Sequence, residues 1–411
     1  MAKLQMDEKV IRKVPFYKPS LGEAEIEAVR STLVDGWITT GPKAKKFEAE
    51  MAAYTGSKYA LAVNSCTAAL HLALAAAGIK KGDKVITTPY TFAATVETII
   101  WCGAQPVLVD IDPGTLNIDP VQTAKKIDKK TKALVSVDIA GLPCEYDALL
   151  PLAKKKKLFL LADAAHSLGA SYKGVKVGRL ADATAFSFYS TKNLTTGEGG
   201  MLVTDYQKLH EKAAILALHG MSKDAWKRYT SEGSWYYEIV AAGFKYNLSD
   251  LQASVGLAQL GKFPDLQRRR AYLAGLYDRH LAPYLDMVEL PPRNGHSEHA
   301  WHMYLIRLKP KVLRIGRDEL LRQLSARGIG TSVHFIPVHL HPFYRKFLGH
   351  KPADFPNALA TYRRIFTPPF YPAMSDQDVE YVCSTLGETL RGKYKFSAVP
   401  VGAKKKAELV G

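Results

Sequence analysis

Cysteine is scarce in this 411-residue chain, and Cys66, Cys102, Cys144 and Cys383 stand far apart with no CxxC pair. That spacing excludes a disulfide framework and reads as the reduced thiols of a cytoplasmic protein. Long apolar runs are missing too: no stretch reaches membrane-spanning length, and Met1 to Lys18 has no signal-peptide core. Internal repeats are absent, as is any recognisable nucleic-acid-binding motif. Acidic residues are outnumbered, 39 against 56 basic ones, giving a formal charge of +17. Lys154 to Lys157 on an expected helix and Lys404 to Lys406 in the tail read as solvated faces. The excess therefore points to steering of an anionic small substrate rather than to nucleic acid or membrane. A hydrophobic content of 47% with 23% charged residues argues against extended disorder. The length suffices for a large domain with a substantial core and a smaller companion.

Helical and strand-like segments alternate from about Leu21 to Gln259. Strands are expected at Tyr59–Val63, Val85–Thr87, Val107–Asp110 and Ala133–Val137, then in the run ending at Asp163 and across Ala183–Phe188. Helices are expected at Glu25–Val34, Thr67–Ala77, Ala93–Cys102, Pro120–Ile127 and Asp147–Lys156. This alternation implies an α/β fold with a mostly parallel central sheet covered by helices. Ligands then gather at the carboxyl ends of the strands, where Asn64, Thr88, Asp163 and Lys192 fall. After Leu260 the pattern changes, with an arginine-rich helix over Phe263–Leu281, a strand over Met303–Leu308 and a helix over Arg317–Arg327. The expected division is a large domain over 15–260 and a smaller α+β domain over 261–393, with segment 1–14 packing against the latter. Residues 394–411 form a loosely held basic tail.

Three segments carry chemistry. Phe186-Ser187-Phe188-Tyr189-Ser190-Thr191-Lys192-Asn193 is a buried strand that delivers one lysine, just before the Gly197-Glu198-Gly199-Gly200 turn. A lysine carried into a pocket can lose its proton and become a nucleophile. Leu158 to Asp163 is a second buried strand that ends on an acid; that acid can pair with a ring nitrogen, ligate a metal or cap a helix. Asn64-Ser65-Cys66-Thr67 opens an alanine- and leucine-rich helix whose first amides, including that of Ala68, can receive an anion or simply an N-cap. Phe92, after a strand and before a helix, can stack on an aromatic cofactor or belong to the core. Lys192 and Asp163 together are the arrangement that pyridoxal 5′-phosphate (PLP) chemistry needs. The histidines of Gly330 to His341 suggest a metal, but they lack a second cluster of cysteines or acids. Strand alternation would put His339 and His341 on one face, and cleft lining is the preferred reading over a metal.

The ordered set of motifs resembles the DegT-like nucleotide-sugar aminotransferases, which are fold-type I PLP enzymes. The matching pieces are Gly36-Trp37-Ile38-Thr39-Thr40-Gly41-Pro42, Asn64 to Leu70, Asp163-Ala164-Ala165-His166 and Phe186-Ser187-Phe188. They continue with Thr191-Lys192-Asn193, Gly197 to Gly200 and Tyr246-Asn247-Leu248-Ser249-Asp250. The resemblance runs from about Pro15 to Leu386 and implies roles at the matching positions. Lys192 would hold PLP, Asp163 would contact the ring nitrogen, and His166 would stand near the ring hydroxyl. Thr67, Ala68 and Ser187 would bind the phosphate, and Asn247 would reach the phosphate of a neighbouring subunit in a homodimer with shared sites. Trp37, Thr40 and His334 would lie near the sugar.

The implied reaction moves an amino group from an amino acid, glutamate being favoured, to the keto group of a nucleotide-diphosphate sugar, leaving 2-oxoglutarate. The Gly36 to Pro42 stretch looks most like members acting on C4 of UDP-4-keto sugars for surface-polysaccharide or lipid precursors. C3 amination of dTDP sugars is the nearest alternative. Relatives that dehydrate the sugar carry histidine in place of this lysine, so transamination is favoured over a dehydratase or deoxygenase. A non-catalytic regulator would need an added DNA-binding domain, for which the residues before the first motif are too few.

Overall fold

The computed structural model of the chain describes residues 12–222 and 236–394. The expected N-terminal segment (all but its last three residues) and the basic tail (all but Tyr394) lie outside the described residues. A seven-stranded sheet forms the centre: β1 (Tyr59–Val63), β2 (Lys84–Thr87), β3 (Gln105–Leu108), β4 (Thr131–Val137), β5 (Phe159–Asp163), β6 (Ala183–Ser187) and β7 (Gly200–Thr204). Its spatial order is β1-β7-β6-β5-β4-β2-β3. All neighbouring pairs are parallel except those of β7, which runs antiparallel to both β1 and β6.

Period-2 alternation gives each strand two buried faces. Ala60, Ala62, Leu134, Leu160, Ala162 and Phe186 join one core, while Leu61, Val63, Val135, Leu161 and Ala185 join the other. Helix α2 (Pro42–Thr55) covers the first face with Phe47 and Met51, and α6 (Tyr146–Lys156) adds Leu149 and Ala153. Helices α3 (Cys66–Ala76) and α7 (Gln207–Ala217) cover the second.

A helix of 32 residues, α8 (Asp250–Leu281), runs across the 260/261 division read from the sequence. Its first half packs Ala253, Leu260 and Phe263 against the central sheet, and its second half packs Leu273, Tyr277 and Leu281 into a separate C-terminal core. The change of pattern near Leu260 is a change of neighbour, not the start of a new element. The C-terminal core gathers around a three-stranded antiparallel sheet (Val288–Glu289, Ile306–Leu308, Ile365–Phe366) and helices α9 (Arg317–Ala326) and α12 (Asp376–Arg391). Val14 is buried in that core and bridges Ile329, while Arg12 pairs with Asp378 at 2.7 Å.

The strand expected over Met303–Leu308 begins only at Ile306. Upstream, Trp301 turns through φ +50°, and the His302 and Met303 amides are both donated to the Ala140 carbonyl, so those residues are committed to a corner. His339 lies in a short 3-10 turn, Val338–Leu340, rather than in a strand, and its ring packs on Phe355. Strand alternation with His341 therefore does not occur. No helix among the described residues is long and apolar enough to cross a membrane.

Candidate active site

The carboxyl ends of β1, β2, β5 and β6 surround a cavity of about 470 Å³. Strand β1 feeds Asn64 and Ser65 into α3. Ser65 is extended, with φ −166° and ψ 159°, and its hydroxyl accepts the Ala68 N–H at 3.1 Å. Ala68 was expected to offer that amide to an anion; a serine at the N-cap takes it instead, and Ala68 does not line the cavity. Ser65, Cys66, Thr67 and Ser187 do line it. β7 starts here because Gly200 pairs with both Val63 and Ser187. A Cβ on Gly200 would come within 2.4–2.5 Å of the Ser65 carbonyl carbon and the Cys66 nitrogen, so only glycine allows this approach.

Asp163 ends β5 with its carboxylate buried. Thr95 Oγ1 donates to it at 2.7 Å and the Ala165 N–H at 3.2 Å, from α4 (Ala93–Trp101) and the following turn. Burial raises its pKa, opposed by those two donors and by the Lys192 cation. Lys192 sits five residues past β6 behind the buried Phe186 and Phe188. Its amine makes no hydrogen bond or ion pair among the described residues and lines the cavity. Burial pulls its pKa down to about 8, with Cys66 and Asp163 acting in the other direction. At pH 7 about a tenth of such lysines are neutral, against roughly one in three thousand for an ordinary side chain.

Three neutral imidazoles complete the wall. His166 accepts the Ala140 N–H at Nδ1 (3.3 Å), and its ring lies 4.5 Å from that of His302. His334 pairs with Thr367 Oγ1 at 2.9 Å. Burial first, and then Lys192, pushes all three below the usual histidine range, His334 to about 4. Phe335 stacks on His166 at 5.7 Å and tilts against Phe92 at 6.2 Å. Phe92 is 64% exposed at the rim, which removes the core reading.

Of the residues singled out from the sequence, the cavity brings together Thr67, Phe92, Asp163, His166, Ser187, Lys192 and His334. Trp37, Thr40 and Asn247 do not line it. They meet one another instead: Asn247 Nδ2 donates to Thr40 Oγ1 at 2.6 Å, and Trp37 Nε1 donates to the Thr40 carbonyl at 3.1 Å. Sequence reasoning missed Thr95 and His302. Thr95 carried a signal, one helical turn after Thr91 to which it bonds at 2.7 Å; His302 carried none. The donor set fits a phosphorylated aromatic aldehyde. It has one unpartnered buried amine, one buried carboxylate and a hydroxyl-lined helix start that only Gly200 leaves open.

Known proteins resemble this chain in sequence and fold. The model of the DegT/DnrJ/EryC1/StrS aminotransferase family matches residues 19–387. The spore coat polysaccharide biosynthesis protein SpsC of Bacillus subtilis is 49% identical over 380 residues, covering 92% of this chain and 97% of that protein. The structure of a sugar aminotransferase, Spr1654 of Streptococcus pneumoniae, in a PMP form superposes with a TM-score of 0.87 at 34% identity. It covers 92% of this chain and 100% of that one; a PLP form of the same protein also superposes, with a TM-score of 0.86. Helicobacter pylori PseC, an aminotransferase of pseudoaminic acid biosynthesis, gives a TM-score of 0.86 at 30% identity, over 93% of this chain and 100% of that one.

Proposed function

This chain belongs to the DegT/DnrJ/EryC1/StrS aminotransferase family, and from that membership we propose that it carries an amino group from glutamate to C4 of a UDP-linked 4-keto sugar. In its coarser form the activity is that of a PLP-dependent sugar aminotransferase with a fold-type I architecture. The nucleotide, the keto position and the donor are the finer part of the reading. A role in making surface-polysaccharide or lipid precursors goes with it.

The observation that carries the reading is the desolvated Lys192 amine, without a hydrogen-bond partner among the described residues, in one cavity with Asp163. PLP, when bound, supplies the aldehyde carbon that carries nitrogen between donor and acceptor and a conjugated ring that takes up the electron pair. Lys192 would hold it through Nζ and, once displaced, would take a proton from the substrate carbon and return one as general base and acid. Asp163, kept toward its ionised form by Thr95 and the Ala165 amide, would face the ring nitrogen. Thr67 and Ser187 would receive the phosphate, Phe92 would cover the ring, and His166 would meet its hydroxyl through Nε2–H. His334 would stand on the sugar side. The positive balance of the chain suits a pyrophosphate-bearing substrate.

The reading includes a cytoplasmic homodimer. Trp37, Thr40 and Asn247 lie together outside this chain's own cavity, beside the exposed Leu33, Val34 and Ile38. Exposed apolar side chains in this stretch suit a second copy, whose site these three residues would complete. The test is incubation with ¹⁵N-glutamate, PLP and a UDP-4-keto sugar, followed by mass spectrometry. Label on the sugar together with 2-oxoglutarate is the expected result. Loss of a sugar hydroxyl without nitrogen transfer would move the chemistry to a dehydratase.

A further inference from the structure

His302 lies 109 residues beyond Asn193, and no motif points to it. Its ring is fixed from several sides. The backbone N–H is donated to Ala140 O at 3.0 Å. The fully buried guanidinium of Arg270 donates through Nη1 to the carbonyls of Trp301 (3.0 Å) and His302 (3.4 Å). The side chain meets Asn193 through Nδ1, 3.1 Å from Oδ1.

The protonation of that ring can be read from its partners. Asn193 Nδ2 faces the Ala300 carbonyl at 2.7 Å and Gln267 Oε1 at 3.0 Å. A carbonyl oxygen cannot donate, so the amide cannot be turned over, and Oδ1 is the atom that faces His302. Oδ1 only accepts, so His302 carries its proton on Nδ1. Burial keeps the ring neutral, which leaves a bare lone pair on Nε2. His166 is the reverse: its Nδ1 accepts the Ala140 N–H, so its proton sits on Nε2. Neither Nε2 has a partner among the described residues, and neither is sealed from the cavity. The cavity wall thus presents one donor and one acceptor, side by side, to Lys192.

We infer that His302 is a positioning residue for Lys192: its Nε2 lone pair opens on the cavity that holds the lysine, and it accepts from the ammonium when the side chain, released from cofactor, turns toward that wall. Several other groups around the lysine are already engaged or are of the wrong kind. Asp163 accepts from Thr95 and Ala165, and the Cys66 S–H donates to Ala185 O at 3.6 Å. His334 is held by Thr367, and His166 offers a donor. Glu198 lines the same cavity, and its carboxylate has no hydrogen-bond partner among the described residues, so it is the competing acceptor. A lysine released from the cofactor would otherwise swing freely on four methylenes; an acceptor on the wall keeps its amine where a proton must be exchanged.

The inference rests on Lys192 being the reactive lysine, and it is tested in cofactor-free protein without sugar, so it stands or falls apart from the substrate assignment. In ¹⁵N-histidine spectra, His302 should show a protonated Nδ1 and a bare Nε2, and His166 the opposite. Lys192→Ala should shift the Nε2 resonance of His302. The pH dependence of Lys192 carbamylation by cyanate then separates the two ends of the ring. His302→Asn keeps an N–H toward Asn193 and loses the acceptor; it should lower the lysine midpoint by about half a pH unit or more. His302→Gln keeps an acceptor toward the cavity and should restore the wild-type midpoint. A protonated Nε2 on His302, an Nε2 resonance indifferent to Lys192→Ala, or a larger shift in His302→Gln than in His302→Asn would overturn it. The first two hold even if neither His302 variant folds.

Discussion

A lysine near the rim of a protein is ordinarily protonated at neutral pH, and Lys192 is not ordinary because Phe186 and Phe188 hold the chain above it in the core. Only the neutral amine attacks an aldehyde, so the rate at which the cofactor-free protein captures PLP should climb with pH and level off near 8. A solvent-exposed lysine would keep climbing toward 10.5. Stopped-flow absorbance checks the midpoint, and Lys192→Ala should form no band that glutamate bleaches. Asp163 makes a second case. Burial works against its ionised form, and the Thr95 hydroxyl at 2.7 Å works for it. Thr95→Val keeps the volume and removes the donor, so the Asp163 pKa should rise further. Hydrogen bonds to charged groups contribute roughly 1.5–3 kcal/mol, so PLP affinity should fall about ten- to a hundredfold in equilibrium titration. Asp163 stands out in the sequence because it closes an apolar strand, and Lys192 because it follows one at a distance of five residues, a pattern that buried sheets impose. Thr95 and His302 do not, since what makes them matter is the partner each finds across the fold.

Strand β7 and helix α3 decide whether the cavity has a floor. β7 begins at Gly200, between the ends of β1 and β6, and its backbone lies against the first turn of α3. Gly200→Ala would drive a methyl into the Ser65 and Cys66 backbone, which cannot move aside as a flexible side chain would. Thermal melts should show a loss of about 1–3 kcal/mol, with weaker PLP retention. Ser65→Ala is the contrasting change: it removes the cap of α3, costs about 1 kcal/mol, and leaves the Ala68 amide without its acceptor. The sequence marked the glycine turn and the helix start as separate motifs. Their contact was not legible, because β7 is the one antiparallel strand of the central sheet and nothing in its own pattern tells which neighbours it has. Long α8 was misread for a related reason. Local periodicity shows a helix and a change in its apolar face, but the face changes because the helix crosses from the sheet to the C-terminal core.

For the molecule as a whole, the open question is how many chains make one site. Trp37, Thr40 and Asn247 were expected around the ligand, and they do come together, bonded to one another, yet none lines the cavity that contains Lys192. The proposed two-fold axis would account for this, the patch of one copy completing the cavity of the other. Only the family resemblance assigned Asn247 to a neighbouring copy, since periodicity and motif spacing describe one chain and never which copy a residue serves. The arrangement makes a quantitative prediction. Lys192→Ala and Asn247→Ala should each lower activity on their own. Mixed in equal amounts and allowed to exchange subunits, they form heterodimers in half of the molecules, and each heterodimer carries both lesions in one site and neither in the other. Activity should therefore recover to about a quarter of the wild-type value, measured as label transfer from ¹⁵N-glutamate. If Asn247 served the site of its own chain, every site in the mixture would still carry one lesion, and mixing would restore nothing.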